Sequence, residues 1–329
     1  MAPLLDVNHL AVRLPGPRGS VPILHDVSLT VSEGELVGIA GESGCGKSMT
    51  AQTLLGLLPP DAEVSGSARF AGTELLHLDP KGWQRVRGAG IAMVFQDPTA
   101  ALHPMLTVGR QLTEHMRTHL RMRRRAATRR AVELLDQVRI PDPERALAAY
   151  PHQFSGGMRQ RVAIASALAA KPRLLIADEP TTALDVTVQA GILALLDRLR
   201  RETGLAVAFI THDLGVLSAL TTRSYVFYSG RVVETGPTGA LLTAPRHPYT
   251  AALLGARPHG RQKIGTLTPI PGSPPTAGEL PPGCAFAPRC AYVTDACRAD
   301  VPPLTPVGGD RATACVIRPD LPIDPEEAA

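Results

Sequence analysis

The 329-residue sequence has few aromatic side chains, since Phe, Trp and Tyr together make up 4% of it and Trp occurs once. This scarcity argues against a large aromatic binding surface. No stretch approaches the roughly 18 consecutive apolar residues of a membrane-spanning helix. The first residues, Met1 to Leu14, lack the basic start and apolar run of a signal peptide. These absences predict a globular protein that stays in the cytoplasm.

The sequence also has little excess charge of either sign. Lys and Arg number 34 against 30 Asp and Glu, which leaves a net charge of +4, too small to predict nucleic-acid or membrane binding by bulk charge. The local exception is the segment 110–130, which holds eight Arg and a single acidic residue, Glu114. Such a run is typical of a solvated helix face, and a nucleic-acid-binding arm is the alternative interpretation.

Short apolar runs alternate with longer helical patterns over most of the chain, whose length suggests roughly two domains. The runs predicted as buried strands are Glu35 to Ala40, Ile91 to Phe95, Arg173 to Ala177 and Ala206 to Ile210. The patterns predicted as helices are Met49 to Leu58, Met158 to Ala170 and Thr187 to Thr203. Such alternation predicts an α/β fold with a parallel sheet that binds its ligand at the carboxyl ends of the strands.

A glycine-rich segment with the pattern G-x-x-x-x-G-K-[ST] lies between the first of these strands and the first helix. Its residues are Gly41, Glu42, Ser43, Gly44, Cys45, Gly46, Lys47 and Ser48. Glycines let the backbone turn so that its N–H groups and a helix N-terminus converge on the β- and γ-phosphates. Lys47 adds positive charge, and the Ser48 hydroxyl can ligate Mg²⁺. The segment therefore predicts a nucleotide-phosphate site.

Two further segments carry phosphate chemistry. The apolar strand 174–177 is followed by Asp178 and Glu179, of which the first would hold Mg²⁺ and the second would accept the proton of the attacking water. Ahead of a predicted helix stand Ser155, Gly156, Gly157, Met158 and Arg159, a second backbone arrangement suited to an anion. A single site needs only one such arrangement, so the second makes sense if it serves the nucleotide of another subunit.

In their order and spacing, these motifs resemble the ATP-binding subunits of ABC transporters, with residues 41–48 as the Walker A loop, 155–159 as the signature and 174–179 as the Walker B strand. The resemblance implies a P-loop ATPase core with a RecA-like parallel sheet and an antiparallel β portion, joined by a helical subdomain and a small Cys- and Pro-rich C-terminal extension. It also implies that Gln96 in the Q-loop senses Mg²⁺ and water, that Asp185 lies in the D-loop, and that His212 contacts the γ-phosphate. Glu179, His212 and Gln96 are thus the expected catalytic residues, and Ser48, Gln96 and Asp178 the expected Mg²⁺ ligands.

The same resemblance implies the partners. Two ATPase subunits sandwich two ATP molecules between the Walker A loop of one and the signature of the other, and their closure acts on two transmembrane permease subunits. We expect the second ATPase subunit to be a paralogue, an extracytoplasmic binding protein to act indirectly, no nucleic acid to take part, and the chain to lie peripherally at the cytoplasmic face of the membrane. Leu14 stands where the family usually stacks an aromatic ring on adenine, so weaker apolar contact is expected there.

Proline content sets the domain boundary, because 14 of the 31 prolines fall within the last 73 residues, 257–329. We expect an ATPase domain over 1–256, with its helical subdomain at about 97–165, and an extension over 257–329. That extension, the segment 246–250 and the Q-loop phrase 95–104 resemble the oligopeptide/dipeptide importer subgroup, although Ala101 and His103 replace the usual Ser and Asn. Peptide is therefore the expected cargo. Nickel or a metallophore is the alternative cargo, and a soluble ABC-type ATPase acting on nucleic acid or ribosomes is the alternative class.

Four of the five cysteines lie in the extension, separated by 5, 6 and 17 residues: Cys284, Cys290, Cys297 and Cys315. The segment has too few apolar residues for a good core, so it needs a cross-link of some kind. Disulfides are rare in the cytosol, whereas four thiolates suit a [4Fe–4S] cluster or a structural Zn²⁺. Some members of the importer subgroup carry an iron–sulfur cluster on a comparable extension, so the resemblance favours the cluster over zinc.

Overall fold

A computed structural model of the chain describes residues 2–17, 19–182, 185–256 and 270–317. The strands, in chain order, are β1 (Leu5–Gly16), β2 (Gly19–Val31), β3 (Leu36–Ala40), β4 (Glu63–Phe70), β5 (Thr73–Glu74), β6 (Ile91–Val94), β7 (Leu174–Asp178), β8 (Ala206–Thr211), β9 (Arg223–Tyr228), β10 (Arg231–Pro237), β11 (Thr305–Gly308) and β12 (Arg311–Thr313). The helices are α1 (Lys47–Leu54), α2 (Pro80–Val86), α3 (Pro98–Ala101), α4 (Val108–Leu120), α5 (Arg124–Gln137), α6 (Pro143–Ala148), α7 (Gly156–Leu168), α8 (Val186–Thr203), α9 (Leu214–Leu220), α10 (Thr238–Thr243), α11 (Pro248–Gly255) and α12 (Ala296–Ala299). Short 3₁₀ turns occupy Pro151–Gln153 and Ala287–Arg289.

The chain divides into two compact units. Unit 1 comprises Met1–Leu4, Val31–Leu36 and His77–Ile210, and unit 2 comprises Leu5–Thr30, Val37–Leu76 and Thr211–Ala329. The predicted boundary after residue 256 falls within unit 2 and stays a prediction. The stretch 97–165, expected to form the helical subdomain, lies in unit 1 and holds α3 to α6 and most of α7.

Unit 1 contains three neighbouring parallel strands in the order β8-β7-β6. Every residue of β7 and β8 is buried. Parallel strands covered on both faces have continuous apolar runs instead of an alternating pattern, which is why the sequence predicts these strands to within a residue at each end. Asp178 is the last residue of β7, so its carboxylate follows directly from the end of a buried strand.

The Arg-rich segment of unit 1 forms two helices, α4 and α5. The chain leaves α4 at Arg121, which has a left-handed backbone with φ of 52°. Helix α5 buries one face, formed by Ala127, Ala131, Leu134 and Leu135, while Arg124, Arg125 and Arg129 are exposed. These three arginines of α5 therefore lie on the exposed face of an amphipathic helix, as the interpretation of the segment as a solvated helix face predicts.

Unit 2 contains two sets of strands. A four-stranded sheet has the order β2-β1-β4-β5, and the second set has the order β11-β12-β10-β9-β3. Strands β3 and β9 are parallel, whereas the pairs β9–β10, β10–β12 and β11–β12 are antiparallel. The hairpin β11–β12 comes from the predicted extension, so the extension continues the sheet that holds β3.

Helix α1 begins two residues before the predicted start at Met49 and ends at Leu54, short of the predicted Leu58. The chain leaves the helix because Gly56 adopts a left-handed backbone with φ of 60°, a conformation typical of glycine after a helix. Within the described ranges, no helix combines the length and the apolar character that crossing a membrane requires.

Candidate functional site

The phosphate-binding loop lies in unit 2, between the buried strand β3 and helix α1. Gly41 has φ of 150°, and a Cβ atom there would lie 2.4 Å from the carbonyl oxygen of Phe227. Gly46 caps the N-terminus of α1 with φ of 107°, and a Cβ there would lie 2.7 Å from Leu24 Cδ2. Both positions therefore require glycine for backbone conformation and for space. The loop has the strand-to-helix setting that its sequence pattern predicts.

Lys47 is buried inside this loop. Its Nζ donates hydrogen bonds to the carbonyl oxygens of Gly41, at 2.7 Å, and Glu42, at 2.9 Å. These bonds hold the ammonium within the loop that leads into α1. Both its positive charge and the N-terminus of the helix favour the binding of an anion. Cys45 Sγ lies 3.6 Å from the same Nζ, and burial raises the pKa of the Cys45 thiol despite that neighbouring charge. The side chain of Ser48, in the first turn of α1, is exposed.

In unit 1, the structure brings together Gln96 and Glu179. Glu179 Oε2 accepts hydrogen bonds from Gln96 Nε2, at 3.2 Å, and from Thr182 Oγ1, at 2.9 Å. Asp178 and Glu179 are both buried, at 6% and 8% exposure. Glu179 also has a left-handed backbone with φ of 46°. Such strain in a non-glycine residue is typical of functional positions, and here it turns the chain sharply after β7.

The signature segment forms the start of α7 in unit 1. The Ser155 Oγ caps the helix by accepting a hydrogen bond from the amide of Met158, at 3.4 Å. Ser155 and Gly156 are exposed. A Cβ atom at Gly157 would lie 2.7 Å from Val188 Cγ1, so glycine allows α7 to approach α8 closely. Arg159 Nη1 donates to Thr99 Oγ1 at 3.4 Å. The segment thus presents an exposed helix N-terminus.

The other predicted residues occupy ends of elements. Asp185 caps α8 through a 2.9 Å hydrogen bond from the amide of Val188 to its Oδ1. His212, in unit 2, follows β8 and is exposed, just before the cap of α9 at Asp213. Leu14 is half-buried in β1. A cavity of about 250 Å³ beside the loop is lined by Ile23, His25 and residues 42–45, among others, and Leu14 is not among its lining residues.

Two side chains from outside the loop contact Glu42, and neither contact was predicted from the sequence. Arg289, in the extension, forms a two-pronged ion pair with the Glu42 carboxylate, with N–O distances of 2.8 and 3.1 Å. The Tyr249 hydroxyl accepts a hydrogen bond from the Glu42 amide at 2.9 Å. Tyr249 belongs to the segment that indicates the importer subgroup, but no local signal in the sequence assigns either residue to the loop.

The four cysteines of the extension line one small cavity together with His247. The Cys284 amide donates to the Cys297 carbonyl oxygen at 2.8 Å. Burial raises the pKa of Cys284, and it raises the pKa of Cys290 to about 11. The predicted convergence of the thiols is present. The predicted cluster is not shown, however, because among the described residues no three His, Cys, Asp or Glu side chains are grouped so as to hold a metal ion.

Comparison with known families gives two matches. Residues 24–182 match the family model described as ABC transporter, and residues 233–297 match the one described as oligopeptide/dipeptide transporter, C-terminal region. Among solved structures, a dimeric ATP-binding cassette bound to ADP and phosphate is 30% identical, with a TM-score of 0.64, and the match covers 71% of this chain and 98% of that one. The ABC cassette fold predicted from the sequence is thereby confirmed.

Curated relatives match over nearly the whole chain. A putative peptide import ATP-binding protein of Brucella melitensis is 48% identical, and the match covers 95% of each protein. The oligopeptide transport ATP-binding protein of Haemophilus influenzae is 46% identical over 91% of this chain and 92% of that protein. The one of Mycobacterium tuberculosis is 50% identical over 96% of this chain, which spans only 52% of that longer protein. The chain belongs to the ATP-binding subunits of ABC transporters, in the branch that carries the oligopeptide/dipeptide C-terminal region.

Proposed function

We propose that this chain binds and hydrolyses ATP to drive the import of di- and oligopeptides by an ABC transporter. The observation that carries the proposal is the loop 41–48, which holds the Lys47 ammonium at the N-terminus of α1 as phosphate binding requires. The peptide cargo is supported by the match of residues 233–297 to the oligopeptide/dipeptide region and by relatives named for peptide import.

In unit 2, the loop binds the phosphates of ATP. Lys47 supplies positive charge, the backbone amides of residues 41–48 supply donors, and the Ser48 hydroxyl is a ligand for Mg²⁺. His212 contacts the γ-phosphate, and Leu14 contacts the adenine. Phosphate prefers donors and charges such as the backbone amides and the Lys47 ammonium. Mg²⁺ prefers hard oxygen ligands such as the Ser48 hydroxyl.

In unit 1, Glu179 accepts the proton of the water that attacks the γ-phosphate. The hydrogen bonds from Gln96 and Thr182 to one oxygen of its carboxylate hold the side chain in place. Asp178 and the amide oxygen of Gln96 are ligands for Mg²⁺, whose role when bound is to neutralise charge on the transferring phosphoryl group. The protein's own contribution is therefore positioning and proton acceptance.

The exposed helix start at residues 155–159 serves the ATP held by a second ATPase subunit, a paralogue of this chain, and Asp185 belongs to the D-loop. Closure of the two ATPase subunits acts on two transmembrane permease subunits, and an extracytoplasmic binding protein delivers the peptide. The chain acts peripherally at the cytoplasmic face of the membrane and takes no nucleic acid.

The decisive experiment uses the complex reconstituted with its permease subunits in lipid nanodiscs. ATP hydrolysis and ATP binding are measured for the parent chain, for Glu179→Gln, and for Glu202→Gln, an exposed matched substitution in the same unit. Removal of a general base lowers turnover by about 10²–10⁴, so Glu179→Gln should lose hydrolysis and keep ATP binding. Glu202→Gln should retain both.

Unchanged hydrolysis in Glu179→Gln would contradict the assignment of the base. Stimulation of hydrolysis by a peptide-loaded binding protein tests the cargo, and stimulation by a nickel- or metallophore-loaded protein instead would contradict it. Recovery of the chain only with RNA or DNA, and never with the permease subunits, would contradict the transporter function itself.

We propose further that Cys284, Cys290, Cys297 and Cys315 hold a [4Fe–4S] cluster, with Zn²⁺ as the alternative. Support comes from their common cavity and from the type of donor, since thiolates suit both groups. His247 Nε2 at the same cavity is buried, and it makes no hydrogen bond within the part of the chain that the structure describes. The four side chains would hold the group as thiolates, because thiols must lose their protons to bind metal. When bound, the group cross-links the extension.

Anaerobic purification followed by iron, sulfide and zinc analysis tests this assignment. We expect about four iron and four sulfide per chain, lost in Cys290→Ser and retained in Cys45→Ser, which alters the one cysteine outside the cavity. One equivalent of zinc without iron would replace the cluster by the alternative. Absence of both metals would contradict the proposal.

A further inference from the structure

Three groups of Glu42, its carboxylate, its amide and its carbonyl, make hydrogen bonds within unit 2. Its carboxylate accepts two hydrogen bonds from the Arg289 guanidinium, its amide donates to the Tyr249 hydroxyl, and its carbonyl oxygen accepts from Lys47 Nζ. Of these partners, only Lys47 belongs to the Walker A motif. The other two come from 207 and 247 residues further along the chain. The conformation of the loop therefore depends on side chains outside the loop.

The Arg289 side chain is built into this position. It is 4% exposed, against 24% for its partner Glu42. Its Nε donates to the Pro271 carbonyl oxygen at 2.8 Å, and its Nη1 also donates to the Tyr228 hydroxyl at 3.3 Å. The guanidinium lies 5.9 Å from the ring centroids of both Tyr228 and Phe286. A two-pronged pair with a buried guanidinium fixes geometry in a way that an exposed ion pair does not.

The Tyr249 side chain is also enclosed by the protein. It is fully buried, and its ring packs against Tyr228 and Phe286, with centroids 4.5 and 5.4 Å away. Three aromatic rings, from β9, α11 and the extension, therefore pack against one another. Beside them, the Arg289 guanidinium and the Tyr249 hydroxyl make their hydrogen bonds to Glu42. A loop that must aim several amides at one triphosphate gains affinity when it is held in the binding conformation beforehand.

We propose that Arg289 and Tyr249 are positioning residues of the ATPase: through Glu42 they hold the phosphate-binding loop in the conformation that binds ATP. The inference rests on the proposed function, because it assigns the chain's C-terminal part a role in ATP binding. It assigns no contact between these two residues and ATP. Their effect is on the affinity of the loop for phosphate, and the proton-accepting step at Glu179 is left unchanged.

The test measures the Kd of a fluorescent ATP analogue for the full chain, and KM and kcat for ATP in the assembled transporter. Loss of a residue that orients a metal ligand typically costs about 10- to 100-fold in affinity or activity, and we take the same range for a residue that orients the phosphate-binding loop. We expect Arg289→Ala and Glu42→Gln each to raise Kd and KM by that factor, with a smaller change in kcat. Arg298→Ala, which removes an exposed arginine of the same extension, should leave all three values unchanged.

The double variant Arg289→Ala/Glu42→Gln separates positioning from general destabilisation. If the two residues act through each other, the double variant binds ATP no more weakly than either single variant. Multiplying effects, or an unchanged Kd in Arg289→Ala, would overturn the inference. If the melting temperature shows that Arg289→Ala does not fold, Arg289→Lys and Tyr249→Phe are measured in its place. Each of them should also raise Kd. A parent chain that binds no ATP analogue would instead contradict the proposed function.

Discussion

Gly41 and Gly44 have different physical reasons for being glycine, although both lie in the phosphate-binding loop with positive φ. A Cβ at Gly41 would collide with the Phe227 carbonyl oxygen, whereas a Cβ at Gly44 would meet nothing within 4 Å. We expect Gly44→Ala to cost about 1–2 kcal/mol, the cost of the left-handed backbone alone, and Gly41→Ala to cost more. Urea unfolding of both variants measures the difference, and equal losses would contradict this steric account.

His25, in β2, links stability to pH. Burial lowers its pKa from the usual 6.5, and the charges of Arg231 and Arg13 lower it further. The unfolded chain therefore binds more protons than the folded one as the pH falls through and below about 6.5. Through His25, the free energy of unfolding therefore decreases as the pH falls below that value, and this effect is absent at higher pH. We expect the melting temperature to decline from about pH 7 to pH 5 less steeply in His25→Gln than in the parent.

His152→Gln, in an exposed 3₁₀ turn of unit 1, is the control for this pH dependence and should follow the parent curve. The same slope in His25→Gln and the parent would contradict the assignment to His25.

At the residue scale, the sequence is informative where chemistry is local. Lys47 and Glu179 were predicted because a strand end and a helix start place them, whatever else surrounds them. Arg289 was not predicted, because its partner Glu42 is 247 residues away and nothing near Arg289 distinguishes a buried arginine from an exposed one. The strained backbone of Glu179 also has no local signal, since glutamate has no preference for positive φ.

Asp185 is the N-cap of helix α8, and its carboxylate has both a structural and a proposed functional role. It caps the helix at the Val188 amide, and we propose that it also belongs to the D-loop. Loss of such a cap costs about 1 kcal/mol. Asp185→Ala should therefore lower the free energy of unfolding by that amount, whereas Asp185→Asn, which keeps an oxygen acceptor, should not. ATP turnover of the Asn variant then reports the D-loop role separately.

The measurement for α8 is chemical denaturation of both variants beside the parent. A stability of Asp185→Ala equal to that of the parent would show that the cap contributes nothing.

An element could be predicted from the sequence when its burial shows in the residues of the element itself. Strands β7 and β8 are buried on both faces and appear as apolar runs. The pairing of β12 with β10 could not be predicted, because it joins residues almost 80 positions apart, such as Glu234 and Thr313. Three short helices were not predicted individually despite a usable signal, although α3 and α6 lie within the predicted helical subdomain. Helices α2, α3 and α6 are each preceded by an Asp N-cap and begin with Pro, which is favoured as the first helical residue.

For the whole transporter, the proposal divides ATP binding and ATP turnover between two subunits. Ser155→Arg alters an exposed helix start in unit 1, so the isolated chain should bind ATP as the parent does. In the assembled complex, loss of one donor to the reacting phosphate lowers turnover by about 10²–10³. Lys47→Ala should lose ATP binding by the chain itself. Weakened binding in isolated Ser155→Arg would contradict the division.

The ion pair between Glu42 and Arg289 has a consequence for biosynthesis. The chain is made from its N-terminus at about 5–20 residues per second, so the 247 residues between the two partners take roughly 12–50 s to translate. Throughout that time the emerging polypeptide already carries its Walker A segment, yet the guanidinium that completes its ion pair has not been synthesised. Nascent chains still attached to the ribosome should therefore bind nucleotide weakly, and the completed chain should acquire full affinity only after release.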